Sequence, residues 1–200
     1  MDLERSKITE FHYLCPIANV ASIMKHGIVS NERAKALGGH SVADPQVQKK
    51  RSAKLVPGGK RLHSFVNLYF HCRNAMMWVL SGRHEQLCVL RVSPNVVDLP
   101  SAIVTDGNAA SDYTRFNPAR KGIELLNADL VYSRDWRHDD PIMLMRLKSA
   151  RCAELLVPDQ ISASFILGVY VSCEKAKIDL ETQGISLPIT IEPDIFFRGN

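Results

Sequence analysis

The sequence has little that would place the chain in a membrane or outside the cell. No apolar run approaches the about 18 residues that a membrane-spanning helix needs. Residues 1–7 are charged and contain no signal-peptide core. The five cysteines are odd in number, widely spaced and never arranged as CxxC, so neither a disulfide framework nor a zinc site is expected. We therefore expect a cytoplasmic protein with no membrane partner.

The chain also lacks the short motifs of the common nucleotide-binding and hydrolase folds. It contains no GxGxxG fingerprint, no GxxxxGK[ST] loop and no GxSxG elbow. His138-Asp139-Asp140 has the composition of a metal-ligand cluster, but adjacent residues rarely chelate one ion together and no second ligand group recurs. No metal is expected, and NAD binding cannot be argued through a Rossmann motif.

Length and charge fit one domain over residues 1–200. The 200 residues are 46% hydrophobic and 23% charged, which is ordinary for a globular chain with a real core. The net charge of +4 is modest, but the stretch from Lys49 to Arg61 is basic and contains no acid. A second basic cluster holds Arg115, Arg120 and Lys121. Such clusters are most often solvated faces, and they also attract phosphates in a salt-dependent way.

The pattern of apolar residues and breakers predicts an α+β fold with a mostly antiparallel sheet. Strands are expected at 8–14, 62–70, 86–93, 102–105, in the apolar run 152–159 that contains Glu154, at 165–172 and at 189–192, and helices at 17–26, 75–80, 123–130, 141–148 and 173–183. Gly27 is well placed to end the first helix. Residues 30–60 carry breakers at Gly38-Gly39 and at 57–59, so this stretch is interpreted as a lid over a site.

Glu154 is the most informative residue, because it stands at the head of an apolar strand that ends at Val157-Pro158-Asp159. A carboxylate at the mouth of such a strand loses water and must find a partner. Two interpretations remain open. Either Glu154 is a catalytic residue, or it forms a structural ion pair with a nearby arginine such as Arg146 or Arg151.

Two other segments carry residues suited to a dinucleotide. His12 lies in the first strand, where a neutral imidazole either donates to a ribose hydroxyl or phosphate or is a satisfied structural group. From Tyr69 to Met77 an aromatic strand end passes into a helix, with Arg73 and Asn74 at the junction. A helix start and a guanidinium favour anionic groups, and aromatic rings stack on flat ones. Met76, Met77 and Trp78 are expected to be core residues.

Four segments together resemble the DarT family, bacterial toxins that ADP-ribosylate bases in single-stranded DNA. The segments are 11–13 with the helix end at 26–28, then 47–51, 66–77 and 148–159. Their order and spacing match the family over nearly the whole chain. The resemblance implies an ADP-ribosyltransferase fold of split antiparallel sheets around an NAD cleft.

The resemblance also implies roles for individual residues. Glu154 matches the catalytic glutamate, and Arg51 matches an arginine at the reaction centre. The residues implied to bind NAD are His12, Tyr69, Arg73 and Asn74. The family's substrate-reading segment maps onto residues 106–150, and the side chains there that are expected to stack on bases or contact the DNA are Tyr113, Arg115, Phe116, Tyr132 and Trp136.

The implied activity is transfer of ADP-ribose from NAD to a base, thymine, in single-stranded DNA. NAD is consumed as a substrate and no other cofactor is implied. A macrodomain antitoxin that removes the modification is the implied partner. Three alternatives stay open: an ADP-ribosyltransferase that acts on protein or RNA, an inactive nucleic-acid-binding module on the same fold, and a small domain whose charged residues are structural.

Overall fold

The computed structural model describes residues 1–38, 45–135 and 137–199. Its strands are Phe11–Pro16 (β1), Ile28–Val29 (β2), Phe65–Tyr69 (β3), Leu87–Val92 (β4), Ile103–Thr105 (β5), Phe116–Pro118 (β6), Glu154–Pro158 (β7), Gln160–Ile161 (β8), Ile166–Val171 (β9) and Ile189–Ile191 (β10). Its α-helices are Val20–His26 (α1), Asn31–Ala36 (α2), Pro45–Ala53 (α3), Ala75–Leu80 (α4), Ala119–Ile123 (α5), Ala128–Val131 (α6), Pro141–Ala150 (α7) and Glu174–Glu181 (α8).

Eight strands form one sheet in the order β10-β9-β4-β1-β3-β7-β5-β6, and β2 pairs with β8 in a separate ribbon. Every pair in the large sheet is antiparallel except β9 with β10. The predicted α+β class with a mostly antiparallel sheet is confirmed.

The large sheet is divided in the middle. The neighbours β1 and β3 share a single residue pair, His12 with Tyr69, whereas β1 pairs with β4 along the whole of Phe11–Pro16. Two halves of four strands therefore meet at one residue pair. This is the split arrangement that the family resemblance implies.

Alternating side chains pack the two faces of the sheet. Phe11, Leu68 and Leu155 are fully buried in the largest cluster, which covers one face. Tyr69 belongs to a second, smaller cluster, and Phe65 to a third. Since residues two apart in a strand share a face, Phe65 and Tyr69 of β3 both point to the face opposite the largest cluster.

The first helix follows its prediction closely. Residues Ile17–Asn19 form a 3₁₀ turn that leads into α1, and Gly27 ends the helix with a φ of +78°. A side chain at Gly27 would also collide with the carbonyl oxygen of Ile161. Glycine is therefore required both for its conformation and for its small size.

Other element boundaries differ from the prediction. The first strand begins at Phe11 and not at Ile8, and it continues through Pro16; a 3₁₀ turn at Arg5–Lys7 precedes it. The helix expected at 123–130 is wrong over residues 124–127, because α5 ends at Ile123 and α6 begins only at Ala128. The short strands β2, β6 and β8 were not predicted, since two or three residues carry too little periodicity.

In the described ranges, no helix is both long and apolar enough to cross a membrane. The five cysteines are free thiols. Cys15 and Cys88 face each other on β1 and β4, with 3.6 Å between their sulfur atoms.

Candidate active site

Four polar side chains lie in one row across neighbouring strands of the sheet. His12 of β1 is opposite Tyr69 of β3, and Tyr69 is opposite Glu154 of β7. Glu154 is in turn opposite Thr105 of β5. Directly opposed residues point to the same face, so the row brings side chains from four distant segments together where the two sheet halves meet.

The carboxylate of Glu154 is 1% exposed and forms a two-pronged ion pair with Arg51 of α3. Nη1 of Arg51 donates to Oε1 over 3.1 Å, and Nη2 donates to Oε2 over 2.9 Å. Burial opposes the charge of the guanidinium, but the adjacent carboxylate outweighs it and raises the pKa of Arg51. Arg51 is therefore charged, and it covers the carboxylate that the sequence singles out.

The turn after β5 wraps around the same carboxylate. The backbone N–H of Ala109 donates to Oε1 of Glu154 over 3.0 Å, and Oδ1 of Asn108 accepts from Arg51 over 3.5 Å. The hydroxyl of Thr105 accepts from the N–H of Glu154 and donates to the carbonyl of Gly107. The beginning of the predicted substrate-reading segment, residues 106–150, thus contacts the candidate catalytic residue.

The structural partners suggested for Glu154 from the sequence, Arg146 and Arg151, are wrong. Arg146 is exposed on α7. Arg151 is buried just beyond the end of that helix, where its guanidinium donates to the carbonyl of Val131 over 3.4 Å and lies 3.5 Å from Nδ1 of His71. The arginine that pairs with Glu154 is Arg51, which lies 103 residues earlier in the chain. Proximity in sequence therefore could not identify it.

His12 has both ring nitrogens engaged. Its Nδ1 accepts from the backbone N–H of Cys72 over 2.9 Å, so the proton of a neutral ring lies on Nε2 and points to Oε1 of Glu10 at 3.0 Å. Oε2 of Glu10 accepts from Nε of Arg91 over 2.7 Å. The ring is therefore fixed in one orientation, 4% exposed, at the join of the two sheet halves.

Two titratable groups beside His12 have shifted pKa values. Burial raises the pKa of Glu10, but hydrogen bonds from His12 and Arg91 outweigh it and lower the pKa to about 2. Burial lowers the pKa of His71 to about 3, and the nearby charge of Arg151 acts in the same direction. At neutral pH Glu10 is a carboxylate and His71 is a neutral ring.

Tyr69 lies between His12 and Glu154 in the row and is 7% exposed. Its hydroxyl donates to the sulfur of Met76 over 3.2 Å. Burial, followed by the charge of Glu154, raises the pKa of Tyr69. The phenol is therefore neutral and gives the site an apolar wall with one polar tip.

Asn74 caps α4. Its Oδ1 accepts from the N–H groups of Met76 and Met77, and its side chain is fully buried. The N–H groups expected to face an anion are thus occupied by the chain itself. The predicted contact of Asn74 with NAD stays a prediction.

Arg73 extends along the outside of this corner. Its Nε donates to the carbonyl of Asp194 over 3.0 Å, and Nη1 donates to that of Arg134 over 3.1 Å. The guanidinium lies 4.2 Å over the ring of Phe197. Arg73 is thus placed outside the row that Glu154 and His12 share, and its predicted role in NAD binding is also untested.

The expectation that Met76, Met77 and Trp78 are core residues is correct in part. Met77 is fully buried and Met76 is partly buried, but Trp78 is 60% exposed. It lies one position after Met77 on α4, a rotation of about 100° around the helix, and this rotation carries its ring out of the core.

The residues expected to contact bases differ in their exposure to solvent. Tyr113 is 95% exposed and Arg115 carries a side chain that is 84% exposed, in an ion pair with Asp106. Phe116 and Tyr132 are partly buried against the core. Trp136 lies outside the described residues. Among the residues described, no group of three or more His, Cys, Asp or Glu side chains is placed to hold a metal ion.

The sequence reasoning missed two parts of the site. Glu10 stands two residues before His12, on the same side of the chain, and that spacing is a signal that could have identified it. The turn residues Asn108 and Ala109 act through one amide and one backbone N–H, for which no residue pattern exists.

The chain resembles proteins of one family throughout its length. Residues 12–197 match the family model described as "ssDNA thymidine ADP-ribosyltransferase, DarT". A curated relative from Thermosipho africanus, named a DNA ADP-ribosyl transferase–DNA ADP-ribosyl glycohydrolase fusion protein, is 28% identical over 202 residues. The match covers 97% of this chain and 51% of the relative, so the chain spans about half the length of that protein.

Solved structures show the same fold. Thermosipho africanus DarTG in complex with ADP-ribose has a TM-score of 0.83 at 26% identity, over 95% of this chain and 51% of that one. Thermus sp. 2.9 DarT in complex with ADP-ribosylated single-stranded DNA has a TM-score of 0.81 at 19% identity, over 98% and 99% of the two chains. The same Thermus protein in complex with NAD⁺ has a TM-score of 0.75 at 18% identity, over 95% and 98%. From the match of the family model, the chain belongs to the DarT family of single-stranded DNA thymidine ADP-ribosyltransferases.

Proposed function

We propose that this chain transfers ADP-ribose from NAD to a thymine base of single-stranded DNA and releases nicotinamide. The observation that carries the proposal is the row of His12, Tyr69 and Glu154 at the join of the sheet halves, with Arg51 facing the carboxylate. Family membership and the NAD⁺ and ADP-ribosylated DNA named in the Thermus structures support it.

Glu154 is proposed as the group that stabilises the transition state. As the bond between nicotinamide and C1′ of the ribose breaks, positive charge develops on the sugar, and a carboxylate next to it lowers the barrier electrostatically. The same carboxylate can accept a hydrogen bond from the ribose 2′-hydroxyl. Because Glu154 is nearly removed from water, its charge acts more strongly than it would in bulk solvent.

Arg51 is proposed to have an electrostatic role. It is too weak an acid to give up its proton easily and serve as a general base, so it stabilises either the NAD diphosphate or the thymine ring as N3 loses its proton. Both oxygens of Glu154 are occupied by Arg51. NAD must therefore separate or share this pair, and that step frees the two side chains for the substrate.

His12, Tyr69, Arg73 and Asn74 are proposed to hold NAD, with His12 on a ribose and Tyr69 along the nicotinamide. The Nε2 proton of His12 is given to Glu10 in this conformation, so contact with a ribose requires that the bond be shared or exchanged. No metal or further cofactor is part of the proposal.

The acceptor explains the need for single-stranded DNA. A bond forms between C1′ of the ribose and N3 of thymine, nicotinamide leaves, and the N3 proton passes to solvent. N3 lies on the Watson–Crick edge, which pairing and stacking hide in a duplex. Residues 106–150 are proposed to read the strand, within a single catalytic domain of residues 1–200.

The proposal extends to the role of the protein in the cell. A cytoplasmic toxin that modifies DNA needs a partner that reverses the modification, and we propose a macrodomain-type glycohydrolase. The Thermosipho relative supports this idea, because its name joins a DNA ADP-ribosyl glycohydrolase to the transferase in one protein.

The test is nicotinamide release with each of the four homopolymer oligonucleotides, followed by mass measurement of the DNA, with RNA and protein as additional acceptors. We expect release and a mass gain of one ADP-ribose with the thymine oligonucleotide. The Glu154→Ala variant should lose transfer and keep DNA binding, and Glu154→Gln tests the charge alone. Full-rate modification by either variant would refute the role of the carboxylate.

A further inference from the structure

A pair of exposed apolar side chains lies on α4, next to the candidate site. Trp78 is 60% exposed and its neighbour Val79 is 77% exposed. Scattered exposed apolar residues are ordinary, but a tryptophan beside a second large apolar group forms a patch of the kind that marks a binding surface.

The ring of Trp78 is held in place from one side. It packs edge-to-face against Phe197, with 5.1 Å between ring centroids and an interplanar angle of 81°. The guanidinium of Arg73 lies 4.2 Å over the same Phe197 ring. The indole is therefore oriented before any ligand arrives, which lowers the entropic cost of binding to it.

A cavity of about 270 Å³ opens beside this ring between α4 and α7. It is lined by Ala75, Trp78, Val79, Lys148 and Arg151. Lys148 is exposed, and burial lowers the pKa of Arg151 only to about 10, so its guanidinium is charged at neutral pH. A fixed aromatic face beside two cations is the combination that binds single-stranded nucleic acid, with the base on the ring and the phosphate on the cations.

The distance from the cavity to Glu154 limits how many nucleotides of DNA could lie between them. Arg151 precedes Glu154 by three residues, so their Cα atoms are at most about 11 Å apart. Successive nucleotides of one strand rise about 3.4 Å or more. A strand whose target base reaches Glu154 can therefore extend to the cavity within a few nucleotides.

We propose that the groove between α4 and α7 is a subsite for a nucleotide that flanks the target thymine, with its base stacked on Trp78 and its phosphate beside Lys148. The subsite rests on the proposed function and extends it. It assigns recognition of the strand to residues outside the 106–150 segment as well as within it, since Trp78 belongs to α4.

Fluorescence tests the stacking directly, because the chain has two tryptophans, Trp78 and Trp136. A Trp136→Phe variant leaves Trp78 as the single indole. Titration of this variant with a thymine oligonucleotide should quench its emission saturably. Binding of the oligonucleotide without any quenching would overturn the subsite.

Affinity, measured by anisotropy of a labelled oligonucleotide, tests the energetics. Trp78→Ala should weaken binding roughly fivefold to 150-fold, the change that corresponds to the about 1–3 kcal/mol of one stacked base, while Trp78→Phe keeps most of the affinity. Lys148→Ala should reduce the slope of log K against log salt by about 0.7, the contribution of one phosphate contact to a single strand. The matched control is Ile178→Ala, which removes an exposed apolar side chain on α8 and should leave affinity unchanged.

The outcomes separate the subsite from the proposed function. If the unaltered chain modifies DNA and Trp78→Ala binds as tightly as Ile178→Ala, the subsite is wrong and the function stands. If the unaltered chain neither binds the oligonucleotide nor releases nicotinamide with it, both are wrong. Thermal unfolding of each variant confirms that lost affinity does not reflect lost folding.

Discussion

At the scale of single residues, the two side chains proposed to be catalytic form an ion pair with each other. Arg51 and Glu154 form a buried pair whose hydrogen bonds are 3.1 and 2.9 Å long. A buried pair of this kind contributes little net stability compared with apolar residues, but removal of one member leaves the other charge uncompensated. The stability of the fold and the proposed reaction therefore depend on the same two side chains.

The first prediction concerns this coupling. Glu154→Ala should lower the free energy of unfolding by about 3–5 kcal/mol, because the guanidinium of Arg51 stays buried without its carboxylate. The double variant Arg51→Met with Glu154→Leu removes both charges and should recover much of that loss. Urea unfolding measures the three proteins, and a single variant as stable as the unaltered chain would contradict the buried pair.

The second prediction concerns pH. The pKa of His71 is lowered to about 3 by burial and by the charges of Arg151 and Arg73, whereas an unfolded histidine titrates near about 6.5. The unfolded chain thus binds the proton first, and the stabilisation present above pH about 6.5 is lost as pH falls towards 3.

His71→Asn should flatten this loss by up to about 1.4 kcal/mol per pH unit, since Asn keeps an acceptor for the N–H of Arg73 and does not titrate. Between pH about 6.5 and 5 the titration of Glu10 does not obscure this difference in the free energy of unfolding. The pKa of Glu10 is about 2, so the stability that depends on its charge is lost at lower pH. Identical pH profiles for the two proteins would show that the folded His71 titrates normally.

At the scale of elements, Asn74 shows how one residue type fits two interpretations. As a cap it holds the N–H groups of Met76 and Met77, and as a pocket wall it would contact NAD. Asn74→Ala should cost about 0.5–2 kcal/mol of stability, while Asn74→Asp keeps an accepting oxygen and most of the stability.

The KM for NAD separates the two interpretations of Asn74. If capping is its whole role, KM stays unchanged in Asn74→Asp, because α4 remains in place. A large rise in KM without loss of stability would instead place Asn74 against the substrate.

The elements that the sequence predicts best are those with several consecutive apolar residues. The helix at 75–80 has the predicted bounds, and the strand Glu154–Pro158 lies within the predicted apolar run, because several consecutive apolar residues carry a readable pattern. Strand β6 has three residues and ends in Pro118, and no periodicity can be read from it. Elements that depend on one or two tertiary hydrogen bonds are set by their partners in the fold.

The same limit applies to the site. The type of residue identifies His12, Tyr69 and Glu154 as candidates, but their alignment depends on the register of three strands. That register joins segments more than 50 residues apart, and a single sequence does not encode it visibly. The ion pair of Glu154 with Arg51 is equally long-range, which is why arginines near Glu154 in sequence were the wrong partners.

At the scale of the whole molecule, charge is distributed unevenly around the sheet. On α3, Lys49 and Lys50 are exposed directly before Arg51, the residue of this helix that contacts Glu154. On α8, at the opposite end of the sheet, Lys175 and Lys177 lie in ion pairs with neighbouring carboxylates. Arg115 and Arg120 of the second predicted basic cluster also lie beside carboxylates, which weakens that cluster as a phosphate site.

The last prediction follows from this asymmetry. Each lysine that neutralises a phosphate of single-stranded DNA contributes about 0.7 to the slope of log K against log salt. The double variant Lys49→Ala with Lys50→Ala should therefore reduce the slope by about 1.4, measured with a thymine oligonucleotide from low to physiological salt. The control with the same change in net charge, Lys175→Ala with Lys177→Ala, should leave the slope unchanged, because α8 packs against β9 and β10, away from β7. Equal slopes for the two double variants would mean that the strand is attracted by net charge alone, and the path of DNA past α3 would have to be abandoned.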